Sequence, residues 1–168
     1  MKRELSLEES RSLCGLIRKS FEFLENLRQR DDLAKFIQYP KIPPRLSESI
    51  ALHFLRRGEI LSRLRNYKFQ LGSQRGAPDI EGRFKRKSLR IEIKATAVSA
   101  FQELKKGDIA SDYLIWLHFG NYFVSNESSI HCYCLPRPNH IIRAPAKITL
   151  RNFIKIGKGS IQKAELNL

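Results

Sequence analysis

From the start of the chain, Leu13, Leu16, Ile17, Phe21, Leu24 and Leu27 recur at steps of three and four, with Arg, Lys and Glu between them. That period predicts helix over residues 6–38. Ser6 and Glu9 are spaced as a capping box at its start, and a break is expected near Gln29-Arg30-Asp31. Tyr39-Pro40-Lys41-Ile42-Pro43-Pro44 forbids helix and predicts an extended connection. A second helix is predicted over 46–57, with Gly58 as its C-cap. The period then shortens to that of strands. Residues 68–71 read as a short strand, and 79–84 with 88–95 as a hairpin around Lys85-Arg86-Lys87. A helix is expected over 99–106, and a largely buried central strand over 113–119. After a turn at Gly120-Asn121, strands are expected at 122–124 and 130–135, with strand-like pieces at 147–150 and 153–156.

No repeat, low-complexity tract or linker interrupts the 168 residues. The expected fold is a single α/β (α+β) domain, a central mixed β-sheet flanked by helices. It divides into an N-terminal helical region (1–43), a core (44–120) and a β-rich C-terminal segment (121–168). One residue disturbs the pattern: Glu48 falls inside the apolar arc of the second helix, between Leu55 and Leu52. A carboxylate there is costly unless a cation or hydrogen bonds compensate it. A first-turn glutamate favoured by the helix dipole is the plainer explanation, and both remain open.

Charge changes the picture most. Lys and Arg number 31 against 17 Asp and Glu, a formal net charge of +14. Such a surplus attracts polyanions, above all phosphate backbones. The start Met1-Lys2-Arg3-Glu4 does not read as a signal peptide, and no apolar run approaches the ~20 residues of a membrane span. A cytoplasmic protein without membrane partners is therefore expected, and Cys14, Cys132 and Cys134 suit a reducing compartment. His131, Cys132, Cys134 and His140 match no closed zinc pattern. Strand alternation instead reads Cys132 and Cys134 as small buried side chains on one face.

The candidate chemistry lies on the second strand of the hairpin. Arg90, Glu92 and Lys94 alternate with Leu89, Ile91 and Ile93, which sets Glu92 and Lys94 side by side on one face. Asp79 opens the neighbouring strand, where pairing can bring its carboxylate beside Glu92. Two carboxylates can hold Mg²⁺, which polarises a phosphodiester and acidifies a bound water. A lysine can orient that water and offset charge on the phosphorane.

Pro78-Asp79 followed by Glu92-Ile93-Lys94, with Leu46-Ser47-Glu48 upstream, resembles the PD-(D/E)xK nuclease superfamily and, within it, the type II restriction endonucleases. The resemblance covers about residues 44–120. It implies a restriction-endonuclease-like α-β-β-β-α-β core, Mg²⁺ with Mn²⁺ as a substitute, and cleavage of double-stranded DNA. It implies Asp79, Glu92 and the Ile93 carbonyl as metal ligands, Lys94 as the residue that positions or activates the water, and Glu48 as an additional acid. Gln102 would support the site or touch a phosphate, or else face solvent. Arg56, Arg57, Arg63, Arg65, Lys68, Arg83, Lys85, Arg86, Lys87 and Arg90 could grip phosphates. Asn121, Asn126, Arg137, Asn139, His140, Arg143 and Arg151 are candidates for base contacts or, with the segment around them, for dimerisation. Cutting both strands of a palindrome requires a two-fold pair of sites, so a homodimer is expected, and a companion DNA methyltransferase is the partner such a system implies. The rival readings are a Holliday-junction resolvase or DNA-repair nuclease of the same fold, and a non-catalytic nucleic-acid-binding protein whose Asp79, Glu92 and Lys94 form a surface ion network.

Overall fold

The computed structural model describes residues 3–73, 76–124 and 129–168. Ser6 accepts the Glu9 amide and the Glu9 carboxylate accepts the Ser6 amide, so the capping box opens α1 (Leu7–Arg30). Asp31 ends that helix and caps a short 3₁₀ helix, Asp32–Phe36. α2 (Pro44–Arg56) begins two residues earlier than the periodicity predicts, because Pro44 takes the first helical position, where a missing amide costs nothing. Gly58 follows it at φ +74°.

The strands follow as β1 (Lys68–Leu71), β2 (Ile80–Phe84), β3 (Lys87–Thr96), β4 (Phe101–Leu104), β5 (Tyr113–His118), β6 (Ser129–Pro136), β7 (Ala146–Thr149) and β8 (Gln162–Asn167). The short helices α3 (Lys106–Ile109), α4 (Gly120–Val124) and α5 (Leu150–Ile156) lie between them. Six strands form one mixed sheet in the order β1-β2-β3-β5-β6-β8. Its neighbours are antiparallel except for β3 and β5, which run parallel. β4 and β7 pair antiparallel in a second, two-stranded sheet.

Alternation divides the core in two. Ile91, Ile93, Ile115, Leu117, Cys132 and Cys134 face α1 and α2, packing against Phe21, Leu46, Ile50 and Phe54. Leu114 and Trp116 face the other way, toward Leu104 of β4 and Phe153 of α5. Cys132 and Cys134 are thus buried on one face as the alternation predicts, and burial pushes the Cys132 thiol up to about 12.

Three predicted elements differ. Residues 101–104 are strand, not part of a helix over 99–106, because β7 pairs with them from some 45 residues downstream, Gln102 opposite Ile148. Edge pairing overrides the helical propensity of Gln, Glu and Leu. Residues 122–124 belong to α4, not a strand. Phe123 stacks on Phe119 at 5.3 Å and on Phe21 of α1 at 5.2 Å, and the four-residue step from Phe119 to Phe123 stacks their rings through one helical turn. Residues 153–156 fall in α5: Thr149 accepts the Asn152 amide as its N-cap, and Phe153 meets Trp116 at 5.2 Å. Among the described residues, no helix is long and apolar enough to cross a membrane.

Candidate active site

β3 is longer than its partner. The pairing of β2 with β3 ends at Ile80 opposite Ile91, so the edge of β3 beyond Ile91 extends past the start of β2. Amide and carbonyl of one strand residue leave on the same edge, and the edge alternates along the strand. Arg90 turns toward β5, giving its amide to the Asp112 carboxylate and accepting the Asp112 amide, both at 2.8 Å. Ile91, Ile93 and Ala95 therefore turn toward the open edge. There Asp79 accepts the Ile93 amide through Oδ2 at 2.9 Å, and the Ala95 carbonyl accepts Nε2 of Gln102 at 3.1 Å. The Ile93 carbonyl leaves on the same edge as the amide that Asp79 holds. Gln102 thus ties β4 to the site strand from a strand, not from the expected helix.

On the face of β3 that bears Leu114 and Trp116 of its neighbour, Glu92 and Lys94 stand side by side, with Lys94 Nζ 3.5 Å from Glu92 Oε1. Asp108 of α3 completes the group, its Oδ2 lying 3.1 Å from Lys94 Nζ. Burial drives the Glu92 pKa up to about 8, and the neighbouring Asp79 carboxylate raises it further than Lys94 lowers it. Burial also works against ionisation of Asp108, but the Lys105 amide and the Lys94 ammonium outweigh it and hold its pKa below the ordinary value.

Of these charged side chains, all but Asp108 reach a cleft of about 760 Å³. Asp79, Glu92, Ile93 and Lys94 line it together with Glu48 of α2, and residues 35–42 and 100–102 contribute walls. Glu48 comes from the α2 side of the sheet, the face opposite the one carrying Glu92 and Lys94, and reaches the same cleft at the open edge. It is buried, and its Oε2 lies 2.8 Å from Arg45 Nη1. With Pro44 as the first helical residue, Glu48 is past the first turn, which contains no acid. The helix dipole is therefore not what retains this carboxylate.

The chain matches no protein-family model, no curated protein and no solved structure. What the site can do rests on its own geometry. Among the described residues, no group of three or more His, Cys, Asp or Glu side chains is arranged to hold a metal ion. The oxygen donors at the open edge are instead two carboxylates, Asp79 and Glu92, and the main-chain carbonyl of Ile93.

Two participants were not foreseen. Arg45 stands three residues before Glu48, the spacing at which helical charges pair, so its signal was present in the sequence. Asp108 had no such signal, since nothing local links residue 108 to residue 94. Of the predicted phosphate contacts, Arg56 is taken up by the Phe69 carbonyl and Glu4, and Arg63 bonds the Tyr113 hydroxyl. Lys68, Lys85, Arg86, Lys87 and Arg90 are exposed, as are Arg137, Asn139, His140, Arg143 and Arg151. Asn126 and the side chain of Asn121 lie outside the described residues.

Proposed function

We propose that the protein is a Mg²⁺-dependent DNA endonuclease of the PD-(D/E)xK type, with its centre at Asp79, Glu92 and Lys94. The observation that carries the reading is their convergence at one open strand edge, on a cleft, in a chain of net charge +14. The order α2, β1, β2, β3 and the parallel neighbour β5 supports a restriction-endonuclease-like core. The crossover from β3 to β5 departs from the helix that the resemblance implies, being β4 and the single turn of α3.

The donor set fits a hard divalent cation. Burial first, and then repulsion from Asp79, raise Glu92, and a positive ion between the two carboxylates would relieve both. Asp79, Glu92 and the Ile93 carbonyl would hold Mg²⁺, and Mn²⁺ would substitute. When bound, the ion supplies Lewis acidity toward the phosphate and a more acidic water. Asp79 keeps its orientation through the Ile93 amide. Lys94, held by Asp108 and Glu92, directs its ammonium toward the incoming water and offsets negative charge on the phosphorane. In the balance of the reaction, a P–O bond to water forms and the P–O bond to the leaving sugar oxygen breaks; the attacking water gives a proton to solvent, and the leaving oxygen takes one from solvent to become a hydroxyl. Exposed Lys85, Arg86 and Lys87 at the hairpin tip supply phosphate contacts away from the chemistry. Double-stranded DNA cut by a homodimer, as in type II restriction with a companion methyltransferase, is the primary reading; Glu48 acts as the additional acid. A structure-selective nuclease, of resolvase or repair type, is the second reading, favoured by how far the site is recessed: the Lys94 and Glu92 side chains are each only 16% exposed.

The test is cleavage of plasmid DNA in Mg²⁺, in Mn²⁺ and in EDTA. Asp79→Ala, Glu92→Ala and Lys94→Ala are each expected to lower the single-turnover rate by at least about 10²–10³-fold while the protein stays folded. Undiminished cutting in EDTA, or near-normal rates in Lys94→Ala, would refute the reading. Gel shifts without cleavage under any metal would support a binding protein instead. A discrete fragment ladder distinguishes sequence-specific cutting from cutting of branched DNA.

A further inference from the structure

Phe36 is 82% exposed and Phe101 is 65% exposed, although other phenylalanines, among them Phe21, Phe54, Phe119 and Phe153, are fully buried. Both rings line the cleft that holds Asp79, Glu92 and Lys94, one from the segment after α1 and the other from β4. Phe23 of α1 is as exposed away from the cleft, so exposure alone decides nothing; what sets these two rings apart is that they share the wall of one charged cleft. The same walls carry cations: exposed Lys41, exposed Lys35, which pairs with the exposed Asp32 at the surface and can exchange it for a phosphate, and Arg28, whose guanidinium lies 4.1 Å from the Tyr39 ring centroid.

An apolar partner would account for the rings but not for the lysines, and a phosphate backbone would account for the lysines but not for the rings. A nucleotide whose base is unpaired carries both complements, an anionic phosphate and an open π face. Bases inside a duplex have their faces covered by their neighbours. The cleft volume of about 760 Å³ lies within the range of roughly 300–1,000 Å³ that encloses a small ligand. That is room inside the cleft for a few nucleotides. We infer that the cleft takes unpaired DNA nucleotides, with bases stacked on Phe36 and Phe101 and phosphates on Lys35 and Lys41. The preferred substrate is then a duplex interrupted by unpaired bases beside the scissile bond, which deepens the structure-selective reading above rather than the restriction reading. The position of that bond rests on the nuclease reading above; the stacking does not.

The experiment compares a fully paired duplex with the same duplex carrying a short central bubble that contains 2-aminopurine. Binding is measured with the full-length chain in EDTA, and cleavage separately in Mg²⁺ and Mn²⁺. The bubble is expected to bind about tenfold to a hundredfold more tightly, with 2-aminopurine quenched by stacking. Phe36→Ala and Phe101→Ala are expected to reduce both the preference and the quenching, and Phe36→Trp to keep them. Equal binding of the two duplexes with unquenched 2-aminopurine overturns the inference, however well the protein cuts. So does a preference that survives both alanine changes. It is equally overturned if these variants alter only the oligomeric state in sedimentation, which would make the rings an interface between copies. A preference that depends on the rings, with no cleavage of any substrate, would refute the nuclease and leave the unpaired-strand site standing.

Discussion

Glu92 couples the site to pH. Its pKa of about 8 in the folded protein exceeds the ordinary carboxylate value of 4.5, so the fold holds this proton more tightly than the unfolded chain does. Its contribution to stability is full below about pH 4.5 and is lost as pH rises through about 8. The metal-free protein is therefore expected to lose thermal stability across that window, and Glu92→Gln to flatten the slope. Asp108 has the opposite sign. Its lowered pKa stabilises the fold above its ordinary value of 3.8 and is lost only in stronger acid, outside the Glu92 window. If Mg²⁺ binds at Glu92 it must displace this proton, and its affinity by calorimetry is then expected to rise with pH over the same range. A flat melting profile for the wild type would contradict the environment described for Glu92. Glu48 offers a second test. Glu48 is only 8% exposed, so its pair with Arg45 is a buried one, and Glu48→Gln is expected to cost about 1–3 kcal/mol. If Glu48 serves the centre, the rate should fall about 10–100-fold, with partial recovery in Mn²⁺. An intact rate would leave it a structural partner of Arg45.

At the scale of elements, the site depends on where β2 begins. Asp79 precedes Ile80, and the Asp79 carbonyl accepts the Gly72 amide at 2.9 Å, which fastens the end of β1 to the start of β2. A Cβ on Gly72 would lie 1.9 Å from the Pro78 carbonyl oxygen, a backbone atom that cannot swing aside. Gly72→Ala is expected to cost about 1–3 kcal/mol in chemical denaturation and, on the nuclease reading, to lower cleavage by displacing Asp79. Gly15 of α1 has nothing within 4 Å of such a Cβ. Gly15→Ala is expected to raise stability by up to about 1 kcal/mol and to leave the rate alone. Equal effects of the two changes would show that Gly72 does not position the carboxylate. The helix α2 and the hairpin were legible in the sequence because their signals are local: a 3.6-residue period, Gly58, and alternation on both sides of Lys85-Arg86. β4 was not. Phe101-Gln102-Glu103-Leu104 carries a weak local signal that suits helix or strand, and only β7 decides between them.

At the scale of the whole molecule, the net charge of +14 is what a polyanion would meet first. If DNA is the ligand and six or more phosphates are neutralised, affinity is expected to fall about 10³-fold or more between roughly 50 and 200 mM salt. Fluorescence anisotropy in EDTA would measure it, and a shallow salt slope would mean that the net charge of +14 serves another partner. The sequence by itself determined that charge, the capping box of α1, and the strand on which Ile91 and Ile93 turn inward while Glu92 and Lys94 share the other face. Each of these is a property of neighbours within a few residues, so a period or a composition expresses it. The tertiary structure alone decided that Glu48 reaches the cleft from the opposite side of the sheet, and that Asp108 holds Lys94 from a single turn of helix. It also decided that α4 and α5 are helices, through the stacking of Phe123 on Phe21 and the packing of Phe153 on Trp116. Those contacts join residues far apart in the chain. Their free energy is realised only after the loops between them have closed, and the closed arrangement leaves no trace in local spacing.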